Sequence, residues 1–148
     1  MSRPVPANPD FARDLRGVVE SMPAVRFLGA RVLALEPGEA RVEVPYRDEL
    51  AFVPGVLHAG SIGALVDISA GWAAATLLPA GWGNATVDFT VKLLAPAAGS
   101  RFVAHGVALS AGRTLSVAEA RVCALDEAGA ETLCATGLAT FRNFQAAR

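Results

Sequence analysis

Apolar positions Phe11, Leu15, Val18, Val19 and Met22 recur at helical spacing near the start of the chain, and Pro23 interrupts the run. The spacing predicts a short amphipathic helix over 11–22, preceded by a flexible polar segment, 1–10. The period then changes. Residues 31–36 and 40–46 are β-rich and flank Pro37-Gly38, and Val42 and Val44 alternate with Arg41 and Glu43, the pattern of a half-buried hairpin. Residues 50–57 are apolar but carry Pro54-Gly55, and lead as a loop into His58-Ala59-Gly60-Ser61. From 62 to 78 the chain is apolar almost all the way round a helix and rich in Gly and Ala, which predicts a central helix covered on most sides and closely approached by other backbone. Four long strands follow, over 85–94, 101–110, 114–125 and 131–144. Their connections are short, so strands adjacent in sequence are expected to pair antiparallel. Sheets of such length twist and curl, here around the one apolar helix.

The chain has 148 residues, 53% of them hydrophobic, which is the size of one self-sufficient domain over 11–148. Thirteen Lys and Arg against fourteen Asp and Glu leave a net charge of −1, with no basic footprint for nucleic acid. Cys123 and Cys134 lie in apolar runs without metal or disulfide spacing and read as core residues. The polar, Pro-rich start lacks an apolar secretory stretch, and the 62–78 segment is broken by Asp67, Ser69, Gly71 and Thr76, short of a membrane span. A cytoplasmic location is expected, with neither membrane nor nucleic acid as partner.

Between Leu50 and Val91 only Asp67 and Asp88 are formally charged. A carboxylate midway along an apolar helix is costly to bury unless it is paired, hydrogen-bonded or used, which makes Asp67 a candidate for chemistry as well as for capping backbone. His58-Ala59-Gly60-Ser61 begins the same helix, where unpaired amides and the helix dipole can receive an oxyanion. These two features cannot meet within one chain, because eight helical residues span about 12 Å. A substrate carbonyl needs both within about 3 Å. Two antiparallel copies of the helix, each lending its tip to the other's middle, solve the geometry and predict a two-fold dimer with two composite sites. The small helix residues would then admit the partner.

The stretch Leu57-His58-Ala59-Gly60-Ser61-Ile62-Gly63-Ala64-Leu65-Val66-Asp67 resembles the HGG-to-acid segment of hotdog-fold acyl-CoA thioesterases of the phenylacetate-degradation (PaaI) type. Thr86-Val87-Asp88-Phe89, Leu94-Ala95-Pro96-Ala97, the Gly112-Arg113-Thr114-Leu115 turn and the closing 135–141 strand are similar to that family as well, so the likeness spans residues 25–144. The resemblance implies an α+β hotdog fold, a long helix wrapped by a curled antiparallel sheet. It also implies a homodimer, with dimers of dimers left open, and hydrolysis of a thioester between an acyl group and coenzyme A, without other cofactor or metal. On the family pattern Asp67 is the nucleophile or the base that activates water, the Ala59 amide polarises the carbonyl with help from Gly60, and Thr86 orients the water. His58 shapes the start of the helix, and Phe52, Ser61 and Arg113 are substrate-binding candidates. Two departures stand out. Phe52 occupies the place, six residues before the motif His, where members usually carry Asn or Gln, and Ala59 replaces the first Gly of the motif.

By period two, Thr86 and Asp88 are expected on one face of their strand. Arg101, Arg113 and Arg121 could meet the phosphates of coenzyme A, with solvated strand ends as the plainer account. His105, Trp72, Trp82 and Lys92 suggest packing or solvation only. No dinucleotide fingerprint, Walker loop, HExxH or GxSxG is present. Two other functions use the same residues: a non-catalytic acyl-CoA binder, suggested by Phe52, and a hydratase or dehydratase, which would need a catalytic His58. The acyl group itself is not legible.

Overall fold

The computed structural model describes residues 3–147. Two helices open the fold, α1 (Phe11–Ser21) and α2 (Pro23–Leu28), where the pattern predicts one. Pro23 explains the break. It holds Met22 extended, at ψ 123°, yet suits the first position of α2, where a missing N–H costs nothing. Within the segment expected to be flexible, the buried Asn8 accepts the Asp10 amide at 2.9 Å and donates to Asp14 at 3.0 Å.

Strands β1 (Arg31–Glu36) and β2 (Glu39–Pro45) form the expected hairpin. A 3-10 turn (Asp48–Leu50) then leads into a small hairpin, β3 (Ala51–Val53) and β4 (Val56–Leu57), rather than a loop. Its corner is Pro54-Gly55, and Gly55 at φ 83° supplies the left-handed position that a Pro-Gly turn requires. The central helix α3 (Ala59–Ala75) starts three residues before the apolar run. The long strands are β5 (Trp82–Leu93), β6 (Arg101–Ala111), β7 (Leu115–Leu125) and β8 (Glu131–Gln145).

Six strands make one antiparallel sheet in the order β1-β2-β6-β7-β8-β5. The pairing of sequence neighbours holds for β1–β2, β6–β7 and β7–β8 but fails for β5, which pairs with β8 and forms an edge. The segment after β5 does not fold back on it. The Leu94 amide donates to the Cys134 carbonyl, and the Ala97 carbonyl accepts from Leu57 of β4, both at 2.9 Å. The chain is thereby led across the end of the sheet to β6.

The sheet curls around α3, and its inner side chains, among them Val42, Phe102, Ala104, Val122 and Phe141, bury Leu65, Val66, Ala70 and Ala73 of the helix. The chain's own sheet approaches several of the small helix residues closely. A Cβ on Gly106 of β6 would lie 2.1 Å from the Ser69 carbonyl oxygen, and one on Gly71 would lie 3.1 Å from the Phe141 ring. Among the described residues no helix is long and apolar enough to cross a membrane.

Candidate active site

Most of α3 is sealed, but Ala64, Asp67 and Ile68 form a half-buried stripe on the side that β5 borders. Asp67 is therefore partly open rather than sunk in the core. Its Oδ1 accepts a hydrogen bond from Thr86 Oγ1 at 2.7 Å, and Asp67 takes part in none of the ion pairs among the described residues.

A bulge in β5 makes that contact possible. Thr86 pairs with Phe141, whose ring faces the helix, while Asp88 pairs with Thr140, the next residue of β8. The extra residue, Val87, breaks the alternation, so Thr86 points inward and Asp88 outward, contrary to the shared face that period two predicts. Asn84, two residues before Thr86 on the inner side, donates its side-chain amide to the Gly71 carbonyl at 2.9 Å and fastens β5 to the helix. Sequence reading passed over Asn84, although its spacing from Thr86 signalled it.

The start of α3 is built by His58. It sits at φ −70° and ψ 146°, and its Nδ1 accepts the Gly60 amide at 2.9 Å as the helix cap. The Ser61 and Ile62 amides donate to the His58 carbonyl, at 3.0 and 3.1 Å. Gly60 is therefore no second oxyanion donor while the imidazole holds its N–H. Ala59 is left as the first-turn amide with no partner among the described residues. Ser61 Oγ donates to the Leu50 carbonyl at 3.1 Å, tying the helix start to the preceding turn rather than reaching toward a ligand.

Beside this tip lies an apolar groove of about 700 Å³. Phe52, Val53 and Val56 of the small hairpin form one wall, Ala59 and Ile62 the floor, and Leu93 and Leu94 the other wall, with His58 the one ionisable group. Phe52 is 70% exposed, its ring centroid 6.3 Å from that of His58. Arg113 is elsewhere: it is exposed in the β6–β7 turn, beside a hollow lined by Leu77, Leu78 and Trp82 near the C-terminal end of α3. No group of His, Cys, Asp and Glu among the described residues could hold a metal. Burial pushes the pKa of both Cys123 and Cys134 up, which makes neither a ready nucleophile.

The structure thus brings Asp67 and Thr86 together, and separately gathers Phe52, His58 and Ala59 at the helix tip. Thr86→Val should lower turnover roughly tenfold or more, since a hydrogen bond to a charged group contributes about 1.5–3 kcal/mol. Thr86→Ser should restore most of it, and the same rate in the Val variant and the native chain would show that the hydroxyl does not support the acid.

A helix wrapped by a curled sheet, with an acid at its middle and a bare amide at its tip, defines a hotdog-fold domain. The thioesterase superfamily model matches residues 54–131. A Halobacterium salinarum protein that carries an esterase name is 34% identical over 143 residues, covering 92% of this chain and 94% of the relative. The crystal structure of a thioesterase family protein from Silicibacter pomeroyi superposes with a TM-score of 0.87 at 35% identity, covering 91% of this chain and 98% of that one. The PaaI protein of the E. coli phenylacetic acid degradation operon shares the fold, with a TM-score of 0.77 at 15% identity, over 93% and 96% of the two chains. The chain belongs to the thioesterase superfamily, and the activity its relatives' names support is hydrolysis of a thioester or ester.

Proposed function

We propose that the chain is an acyl-CoA thioesterase of the PaaI type that works as a homodimer. The observation that carries this reading is the Asp67 carboxylate, held by Thr86 at 2.7 Å on the one stripe of α3 that the chain's own sheet leaves partly open. Thr86 occupies Oδ1, which leaves Oδ2 free to take a proton from water or to attack carbon. In the first case water adds to the thioester carbonyl as its proton passes to Asp67, and the oxyanion rests on the Ala59 amide and the helix dipole. Collapse breaks the carbon–sulfur bond, and the departing thiolate receives the proton back. In the second case Asp67 adds to the carbonyl carbon, the carbon–sulfur bond breaks and the thiolate leaves. Water then cleaves the resulting acyl anhydride, one of its protons goes to the thiolate, and the free acid and the Asp67 carboxylate are released. The apolar groove beside Ala59 suits the acyl group, and Arg113 remains the candidate for the phosphates of coenzyme A.

Ala59 and Asp67 of one chain are about 12 Å apart along the helix, so the acid must work with the amide of a second copy. The free edge supports this. Val87, Phe89 and Leu93 of β5 are exposed, an apolar edge strand of the kind that soluble proteins cover. The hydratase alternative draws little from the geometry, since the His58 Nδ1 is engaged by Gly60 and the ring joins no ion pair among the described residues.

Complementation tests the composite site. Ala59→Pro removes the amide proton at the first helical position, where proline fits and where the extended His58 suits a following proline. Alone, Ala59→Pro and Asp67→Asn should each release little thiol from acyl-CoA substrates. Mixed and allowed to exchange partners, they should recover roughly a quarter of native activity, because half the dimers then hold one intact site of two. A mixture that has exchanged partners and is as inactive as its parents would overturn the composite site. Tight acyl-CoA binding without thiol release by the native protein would establish a binder instead.

A further inference from the structure

Strand β5 meets α3 at three places, and the spacings of the two elements match. Gly63, Asp67 and Gly71 follow one another at four-residue intervals, which puts them one above the other on the helix, about 6 Å apart. Phe89 lies over Gly63, where a Cβ would be 3.4 Å from its ring. Thr86 reaches Asp67 at 2.7 Å, and Asn84 reaches the Gly71 carbonyl at 2.9 Å. The strand therefore runs antiparallel to the helix and touches each turn once. On β8 the residues opposite Asn84, Thr86 and Phe89 are Asn143, Phe141 and Ala139, an even step of two residues, or about 6.8 Å. The Val87 bulge preserves this step, since without it the third position on the inner side would fall to Asp88.

The three contacts differ in kind. Ladder bonds lie within the sheet, so neither β8 nor a second strand at the free edge of β5 fixes the distance between β5 and the helix. Phe89, 44% exposed, makes a dispersion contact that tolerates small shifts. The Thr86 hydroxyl is the group that has to be placed. Asn84 is the directional tie: its amide must point at one carbonyl oxygen within a narrow range of distance and angle. That oxygen lies within α3, where the helix's own bonding uses one lone pair and leaves the other for a side chain.

We propose that Asn84 is a positioning residue: its bond to the Gly71 carbonyl sets the height of β5 over α3 at which the Thr86 hydroxyl reaches Asp67. This role presupposes Asp67 as the acid of the proposed thioester hydrolysis. Asn84 stands one helical turn from that acid and acts only through Thr86. A shift of about 1 Å in a catalytic group can cost about a hundredfold in rate, so a tie at this distance has an effect on turnover.

Steady-state kinetics on full-chain variants test it, together with the NMR signal of the Asp67 carboxyl carbon, assigned by its loss in Asp67→Asn. Asn84→Ala should lower kcat about three- to tenfold and leave KM within about twofold. Asn84→Gln, which keeps the amide on a longer arm, should recover part of the loss. Asn84→Ala/Thr86→Val should be no slower than Thr86→Val alone, because the tie then has nothing left to position. The Asp67 carbon signal should move in Asn84→Ala in the direction it takes in Thr86→Val, a readout that needs no turnover. A native chain that releases no thiol from any acyl-CoA, with that shift present, would end the hydrolytic reading and leave Asn84 as the residue that places Thr86. The proposal is overturned if the double variant loses the product of the two single falls, or if the Asp67 signal keeps its native position in Asn84→Ala that circular dichroism shows to be folded.

Discussion

Asp67→Asn should cut thiol release from acyl-CoA by about a thousandfold, within the 100- to 10,000-fold range that a positioned acid or base contributes. The loss should fall on kcat and leave KM nearly unchanged, because the substitution alters no groove side chain. Asn retains an oxygen that can accept the Thr86 hydroxyl, so the 2.7 Å contact and the seating of β5 against α3 are preserved. Circular dichroism, melting temperature and mass in solution should match the native protein. A fall of less than tenfold in a correctly folded variant would remove Asp67 from the chemistry and the thioesterase reading with it.

Gly106→Ala should cost about 3 kcal/mol or more of stability, or yield insoluble protein, although it adds a single methyl group. The added carbon would sit 2.1 Å from the Ser69 carbonyl oxygen, 2.3 Å from its carbon and 2.8 Å from the Ala70 nitrogen, and backbone cannot swing aside as a side chain can. Relief would require lifting the middle of α3 off β6, and with it the layer of apolar contacts that runs from Val42 to Phe141. Gly17→Ala is the matched control. Gly17 is exposed on α1 with nothing within 4 Å of a Cβ, and there the same substitution should stabilise by about 0.5–1 kcal/mol. Chemical denaturation of both variants decides the matter, and equal stability for the two would show that the sheet and helix are not in hard contact at Gly106.

The sequence made local faces legible and left distant pairing hidden. Alternation placed Val42 and Val44 inward, and the unbroken apolar character of 62–78 required a helix covered on most sides. Both are properties of a few consecutive residues. The position of β5 is not, since a short connection to β6 reads as a hairpin until the bonds from Leu94 and Ala97 to other parts of the chain are known. The Val87 bulge has no compositional mark at all, yet it alone decides that Thr86 and not Asp88 faces the helix. Asp67 stood out because a long stretch around it lacks charge. Its partial opening to solvent did not, because that depends on β5 ending the sheet. The capping role of His58 followed from its place before the helix, but the capture of the Gly60 amide by its ring, which reduces the oxyanion donors to Ala59, needed coordinates.

The unpaired state of Asp67 also bears on how a catalytic cycle closes. On the proposed reaction, the carboxylic acid product would form beside the Asp67 carboxylate, which joins no ion pair among the described residues. No lysine or arginine lines the groove beside Ala59 to detain it. Electrostatic repulsion would therefore drive the spent acyl group outward, and inhibition by that product would stay weak even where the groove itself holds a long chain well.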